Sequence, residues 1–152
     1  MEQLIFSLPD FTIGDKFPIE YTGRGKDLSP EIVIENLSEK AKTLAVTLED
    51  ISHPIKDFTH WVIWNIPAAS KIGKAISKGK YVSDIGATQG VAYGMHKYAG
   101  PKPPRGKTHK YRITVYALDC STDLSANKRK KHFLKKVENH ILQKGCLEYS
   151  FE

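Results

Sequence analysis

Three titratable side chains stand at the ends of apolar, strand-like segments. Asp50 ends TLAVTLED, His60 lies at the start of THWVIWNI, and His109 opens HKYRITVYALD. The third segment directly follows a stretch rich in proline and glycine, KYAGPKPPRGKT. Titratable groups at strand mouths beside a rigid loop can supply charge-assisted hydrogen bonds to an anion. The residues thus indicate a binding site near these three side chains, but they do not specify its ligand.

Strand alternation indicates which of these side chains are buried. Successive side chains point to opposite faces of a strand. Asp50 has the parity of Leu44, Val46 and Leu48, so we expect it on the core-facing side. The other face of this segment is predicted to contact solvent: Thr43, Ala45, Thr47 and Glu49.

The same count places His109 and Tyr111 on the buried face of their strand, with Ile113 and Val115. His60 has the parity of Val62 and Trp64, but its strand is apolar on both faces. For His60 the alternation therefore predicts only that the side chain is half-buried.

Buried polar groups need partners, so an Asp and two His could form only an internal hydrogen-bond network. One Asp and two His can also form a facial triad for a metal, but no ligand spacing typical of a metal site is present. A hydrolase is a further alternative, since Ser52 lies near Asp50 and His60 in sequence. Without a G-x-S-x-G motif we expect a protein that is not an enzyme and that needs no metal or cofactor.

Short segments rich in β-branched and aromatic residues dominate the first two thirds of the chain. The predicted strands are LIFSL, FPIEY, EIVIEN, TLAVTLED, THWVIWNI and KYRITVYALD. They predict a mostly β, two-sheet antiparallel sandwich with Greek-key elements, as a single domain over 1–152. Residues 72–94 predict a long irregular excursion with one short strand.

A basic helix and a final strand are predicted near the C-terminus. Phe133, Val137 and Ile141 recur at helical spacing, with Ser125 as N-cap and Gly145 as the stop. The segment CLEYSFE then alternates like a strand.

Composition narrows the classes of partner and compartment. The net charge of +6 is concentrated in KRKKHFLKK, which we interpret as a solvated helix face rather than a nucleic-acid site. No run is long enough to span a bilayer, and the N-terminus lacks a basic leader, so a cytoplasmic location is expected. Cys120 and Cys146 are expected to be reduced thiols, although a bridge between them is geometrically possible.

Two paired motifs resemble one known family. DISHPIKDFTHWVIWNIPA and YAGPKPPRGKTHKYRITVYALD are similar to motifs of the phosphatidylethanolamine-binding protein family, also called the Raf kinase inhibitor protein family, and above all to its short prokaryotic branch. The resemblance extends to Leu28-Ser29-Pro30 and Gln89-Gly90.

This resemblance implies a β-sandwich with an anion pocket at one end. The pocket residues carry over to Asp50, His60, His109 and Tyr111, with one wall formed by the loop residues Gly100, Pro101, Pro103, Pro104 and Gly106. The implied ligand is phosphate or a phosphoryl headgroup, held by an imidazolium, so that binding tightens as the pH falls. As an alternative, the family includes inhibitors of serine proteases and kinases, and a homodimer is also implied.

The chain departs from the family pattern at the expected rim of the pocket. Ser52 stands where the family has a second carboxylate, and His53 stands at an alanine position. Lys102 replaces a small residue, and Lys110 stands where arginine is usual. These changes predict a more basic pocket mouth.

Overall fold

Ten strands and one α-helix form the framework of the protein. The computed structural model describes residues 1–152. The strands are β1 (Glu2–Gln3), β2 (Phe6–Ser7), β3 (Ile32–Ile34), β4 (Thr43–Asp50), β5 (Phe58–Pro67), β6 (Lys71–Ile72), β7 (Tyr81–Val82), β8 (Ala87–Gln89), β9 (His109–Leu118) and β10 (Ile141–Phe151). The helix is α1 (Lys130–Val137), and a short 3₁₀ turn covers Ile19–Tyr21.

The strands form two sheets, which confirms the predicted mostly β sandwich. The larger sheet has the order β1-β10-β9-β4-β5-β8-β7, and the smaller has the order β2-β3-β6. Within the larger sheet β4, β5 and β8 lie side by side, and β9 returns to lie beside β4, which is a Greek-key arrangement. All strand pairs are antiparallel except β1 with β10.

The main core fills the space between the two sheets. Leu44, Val46 and Leu48 of β4 are fully buried there, as the alternation predicts. They meet side chains from β5, β9 and the small sheet: Trp61, Ile63, Ile113, Val115, Ile32 and Ile34. Removal of this apolar area from water is the main source of the sandwich's stability.

The opposite face of β4 is also buried, so the prediction that it contacts solvent is wrong. Thr43, Ala45, Thr47 and Glu49 are all buried. Helix α1 covers this side of the large sheet, and Phe133 stacks on Trp64 with ring centroids 5.1 Å apart. A strand that is covered on both faces is usually apolar on both faces. Here the covered face carries the short side chains of Thr and Ala, so the sequence resembles that of a strand with one face in solvent.

Glu49 is the one ionisable side chain on this covered face of β4, and it has a partner on the helix. Its carboxylate accepts a hydrogen bond from the Nζ of Lys130, and both side chains are largely buried. A buried carboxylate without such a partner would strongly destabilise the fold. The pair therefore fixes where α1 lies against β4.

Several predicted element bounds differ from the structure. Of the predicted strand LIFSL only Phe6 and Ser7 are in a strand, β2, while the preceding β1 belongs to the other sheet. The predicted strand FPIEY contains the 3₁₀ turn instead, because Pro18 cannot donate to a strand ladder. The excursion 72–94 contains β7 and β8 as well as the end of β6.

The predicted ends of the C-terminal helix are also wrong. Ser125 begins a turn, in which its Oγ accepts from the backbone N–H of Asn127, and Arg129 is the N-cap. Gly145 lies within β10, where an added Cβ would stand 2.0 Å from the backbone oxygen of Leu4. This glycine is explained by the close approach of the N-terminal segment and does not end a helix.

Helix α1, with eight residues, is too short to span a membrane. Cys120 and Cys146 are both free thiols.

The Phe133 contact with Trp64 predicts a large stability effect. Phe133 is 0% exposed, so Phe133→Ala should leave a cavity and lower the free energy of unfolding by about 3–5 kcal/mol. Urea denaturation followed by tryptophan fluorescence measures this loss. Leu134→Ala, at the neighbouring and only partly buried position, is the control and should cost clearly less. Equal losses would contradict the proposed role of α1 as the cover of the sheet.

Candidate functional site

Asp50 and His109 form a hydrogen-bonded pair at one end of the large sheet. Asp50 is 3% exposed, and its Oδ2 lies 2.7 Å from the Nδ1 of His109. Because β4 and β9 are antiparallel neighbours, the last residue of β4 comes close to the first residue of β9. The carboxylate accepts the bond, so Nδ1 carries the proton and the Nε2 of His109 is left for another partner.

The second oxygen of Asp50 is also satisfied. Its Oδ1 accepts from the backbone N–H of Ser52 at 2.9 Å, and the Oγ of Ser52 accepts from the backbone N–H of Lys110 at 2.8 Å. Ser52, predicted as a rim residue, thus fixes the turn that follows β4. With both oxygens engaged, each carboxylate oxygen of Asp50 has a hydrogen-bond donor within the protein.

His60 reaches this site because β5 contains a β-bulge. Leu48 pairs with Trp61 and Glu49 pairs with Thr59, so His60 is the extra residue. A bulge re-aims the side chain that it carries. Regular alternation would group His60 with Val62 and Trp64 on the helix side. The bulge brings it instead to the face of Tyr111, with ring centroids 5.6 Å apart.

The backbone determines the tautomer of His60. Its Nδ1 lies 2.8 Å from the carbonyl oxygen of Ala99, which can only accept, so Nδ1 carries the proton and Nε2 is left for another partner. Burial lowers the pKa of His60 below its usual value. The hydrogen bond to this carbonyl and the charge of Asp50 act in the opposite direction but do not outweigh burial. His60 is 5% exposed, so it is buried and not half-buried as the alternation predicted.

Tyr111 lies next to both imidazoles, and its hydroxyl has no hydrogen-bond partner in the protein. The residue is 1% exposed, and its ring centroid is 5.6 Å from that of His60 and 6.3 Å from that of His109. Burial, followed by the charge of Asp50, raises its pKa. The backbone of Lys102 faces the hydroxyl and opposes this rise, but it does not reach hydrogen-bonding geometry.

The proline-rich loop forms a wall beside these rings and is anchored to an earlier segment. Gly100 donates its N–H to the Oδ1 of Asp27 at 2.7 Å. An added Cβ at Gly100 would stand 2.4 Å from the backbone oxygen of Tyr21, so only glycine fits here. Pro103 is buried, and its carbonyl accepts from the guanidinium of Arg24 at 2.6 Å. Pro104 and Lys102 are exposed.

Arg24 lies beside the candidate site, and the sequence reasoning missed it. Its guanidinium is close enough to Tyr111 to oppose the rise of that hydroxyl's pKa. In the sequence it stands between Gly23 and Gly25, a pattern that indicates only a turn. Residues so distant in sequence come together only through the loop contacts, which no local pattern predicts.

An aromatic rim completes the mouth of the site. His53, predicted as a rim residue, stacks on Phe58 with centroids 4.0 Å apart, and its Nδ1 accepts from the N–H of Ile55. Tyr93 contacts both Phe58 and His60 edge to face, and it is exposed. Phe58 and Tyr93 were also missed. Phe58 is the half-buried first residue of β5, and Tyr93 lies outside the strands, so neither has a periodic signal that marks it.

Comparison with known proteins gives a family for the whole arrangement. The family model described as phosphatidylethanolamine-binding protein matches residues 7–152. A UPF0098 protein of Archaeoglobus fulgidus is 39% identical over 136 residues, which is 89% of this chain and 46% of the relative. This chain therefore spans about half the length of that relative. A UPF0098 protein of Pyrococcus abyssi is 39% identical over 142 residues, which is 91% of this chain and 80% of the relative.

Solved structures share the fold at lower sequence identity. A phosphatidylethanolamine-binding protein homologue of Chlamydia trachomatis superposes with a TM-score of 0.85 at 24% identity, covering 100% of this chain and 99% of its own. YbcL of Escherichia coli gives 0.85 at 21% identity, with 99% and 98% covered. On the family match and these relatives, the chain belongs to the phosphatidylethanolamine-binding protein family.

Proposed function

We propose that the protein binds a small tetrahedral oxyanion, such as the phosphate of a phosphorylated headgroup, and that it does so without catalysis. The observation that carries this proposal is the hydroxyl of Tyr111. A buried hydroxyl without a partner costs about 1–3 kcal/mol, so such groups are rare unless they serve a ligand. Thr47 and Trp64 also carry unpartnered buried atoms, but neither lies beside the two histidines.

The two imidazoles supply the complementary donors. The Nδ1 of each ring donates a hydrogen bond, that of His60 to a backbone carbonyl and that of His109 to the carboxylate of Asp50. The Nε2 of each ring is therefore available to a ligand. When protonated, Nε2 donates a charge-assisted hydrogen bond, which is the strong kind for a phosphate oxygen. Binding of an oxyanion at these atoms is thus coupled to uptake of a proton.

The charge of the site favours an anion despite the presence of Asp50. Both oxygens of Asp50 accept hydrogen bonds from within the protein. The role of the carboxylate is therefore to orient His109. Arg24 adds a permanent positive charge near Tyr111. The headgroup phosphate of phosphatidylethanolamine, which the family is named for binding, has the required chemistry.

Removal of the Tyr111 hydroxyl should have opposite effects on affinity and on stability. Tyr111→Phe deletes one donor to the anion, so the Kd for phosphoethanolamine at pH 7 should rise about tenfold, measured by calorimetric titration. The free energy of unfolding without ligand should stay constant or rise by up to about 1 kcal/mol, because an unpartnered buried group is removed.

Tyr116→Phe is the matched control, since Tyr116 is buried on the other face of the same strand. It should leave the affinity for phosphoethanolamine unchanged. An unchanged affinity in Tyr111→Phe would remove the hydroxyl from the site. A large loss of stability in that variant would show instead that the hydroxyl has a structural partner.

The lowered pKa of His60 predicts a pH dependence with a definite sign. The anion stabilises the protonated ring, so sulfate should bind more tightly as the pH falls towards the lowered pKa of His60, and the affinity should level off below it. With one linked proton, the gain approaches about tenfold per pH unit above that pKa. Sulfate is the suitable probe because its own charge is constant over this range.

The variant His60→Gln can hydrogen-bond but cannot take up a proton. We expect it to flatten the pH dependence of the sulfate Kd, whereas His132→Gln, at an exposed position on α1, should retain it. If sulfate bound the unaltered protein equally well at pH 5.5 and pH 8, protonation of His60 would play no part.

A further inference from the structure

A second cluster of reactive side chains lies at the far end of β9. Asp119 and Cys120 follow β9 directly, and His140 precedes β10. The carboxylate, thiol and imidazole atoms of these three residues all lie within 4.8 Å of one another. The ten residues of β9 separate this cluster from the pair formed by Asp50 and His109, a distance of about 30 Å at the usual rise per residue.

The sheet holds the three residues in place. Leu118 pairs with Ile141, so Asp119 and His140, the next residue on each side, are adjacent. The N–H of Asp119 donates to the carbonyl of His140 at 3.0 Å. The carbonyl of Cys120 accepts from the Oγ1 of Thr43 at 2.5 Å. The backbone positions of the three residues are therefore fixed by strand pairing and by these hydrogen bonds.

The three side chains offer one oxygen, one sulfur and one nitrogen donor. Calcium and magnesium prefer oxygen ligands alone, whereas thiolate with imidazole selects zinc and similar transition metals. We propose that Asp119, Cys120 and His140 form a site for Zn²⁺ or a similar thiophilic divalent metal, with a fourth position open to solvent or an external ligand. This proposal is independent of the anion site.

The geometry requires only small movements to accept the metal. Bonds of about 2.0–2.3 Å in a tetrahedral site place ligand atoms about 3.3–3.8 Å apart. The Oδ1 of Asp119 and the Nδ1 of His140 are 2.8 Å apart, and no pair of donor atoms exceeds 4.8 Å. Shifts of about 1 Å would thus complete the coordination. His140 and Asp119 are about half-exposed, so a metal ion can reach them from solution.

Two other interpretations of the cluster explain less. An exposed pair of Asp119 and His140 contributes little stability and has no need of a cysteine beside it. A catalytic thiolate would need a lowered pKa, whereas burial and the neighbouring Asp119 raise the pKa of Cys120. A bound metal, in contrast, displaces the thiol proton.

Titration of the reduced protein with Co²⁺ alone tests the proposal, because a cobalt–thiolate bond has a charge-transfer absorption in the near ultraviolet. We expect one Co²⁺ per chain with this absorption, and a Zn²⁺ titration that displaces it. Cys120→Ser should abolish the absorption, and His140→Gln should weaken the metal affinity at least about tenfold. Cys146→Ser is the matched control, since this exposed thiol lies outside the cluster.

The absence of a thiolate absorption in the unaltered protein would overturn the proposal, as would its retention in Cys120→Ser. Loss of the absorption in Cys146→Ser would show that the metal binds at Cys146, outside the cluster, and would also overturn the proposal. Circular dichroism establishes that the variants fold, and the exposed position His140 gives a variant that is not expected to disturb the core. Phosphoethanolamine binding should be the same in all three variants, which separates this site from the anion site.

Discussion

The burial of β4 along its whole length is the constraint on which the rest of the structure depends. All eight of its residues are buried, so the large sheet needs a covering layer on each face. The small sheet covers one face, and α1 with its preceding loop covers the other. Because Glu49 lies on the second face, that layer must also supply a cation, which explains why a short basic helix presents Lys130 there.

This constraint also explains which parts of the fold the sequence predicts. The strands β4, β5 and β9 are long and rich in β-branched and aromatic residues, and their predicted bounds agree with the structure to within one residue. The helix-facing side of β4 could not be predicted, since Thr43, Ala45 and Thr47 read as a polar face. Short strands such as β7 and β8 are defined by their partners and have little pattern of their own.

The candidate site divides in the same way. Alternation correctly predicts the burial of Asp50 and Tyr111, because β4 and β9 pair there without a register shift. Alternation could not predict the orientation of His60, because one extra residue in β5 reverses the parity of the strand at that point. Arg24 and the cluster of Asp119, Cys120 and His140 depend on loops and strand ends that meet only in the folded chain.

The bulge at His60 has a consequence for how this strand can change over evolutionary time. Side-chain substitutions in β5 alter packing by degrees, but a change of one residue in its length reverses which face every following side chain occupies. Loss of a residue at the bulge would turn the imidazole towards α1 or displace Trp61 from the main core. The number of residues from Phe58 to Trp61 within β5 is thus as much a determinant of the site as their identity. We expect insertions and deletions to be tolerated in the mostly exposed 51–57 turn but not in this part of the strand.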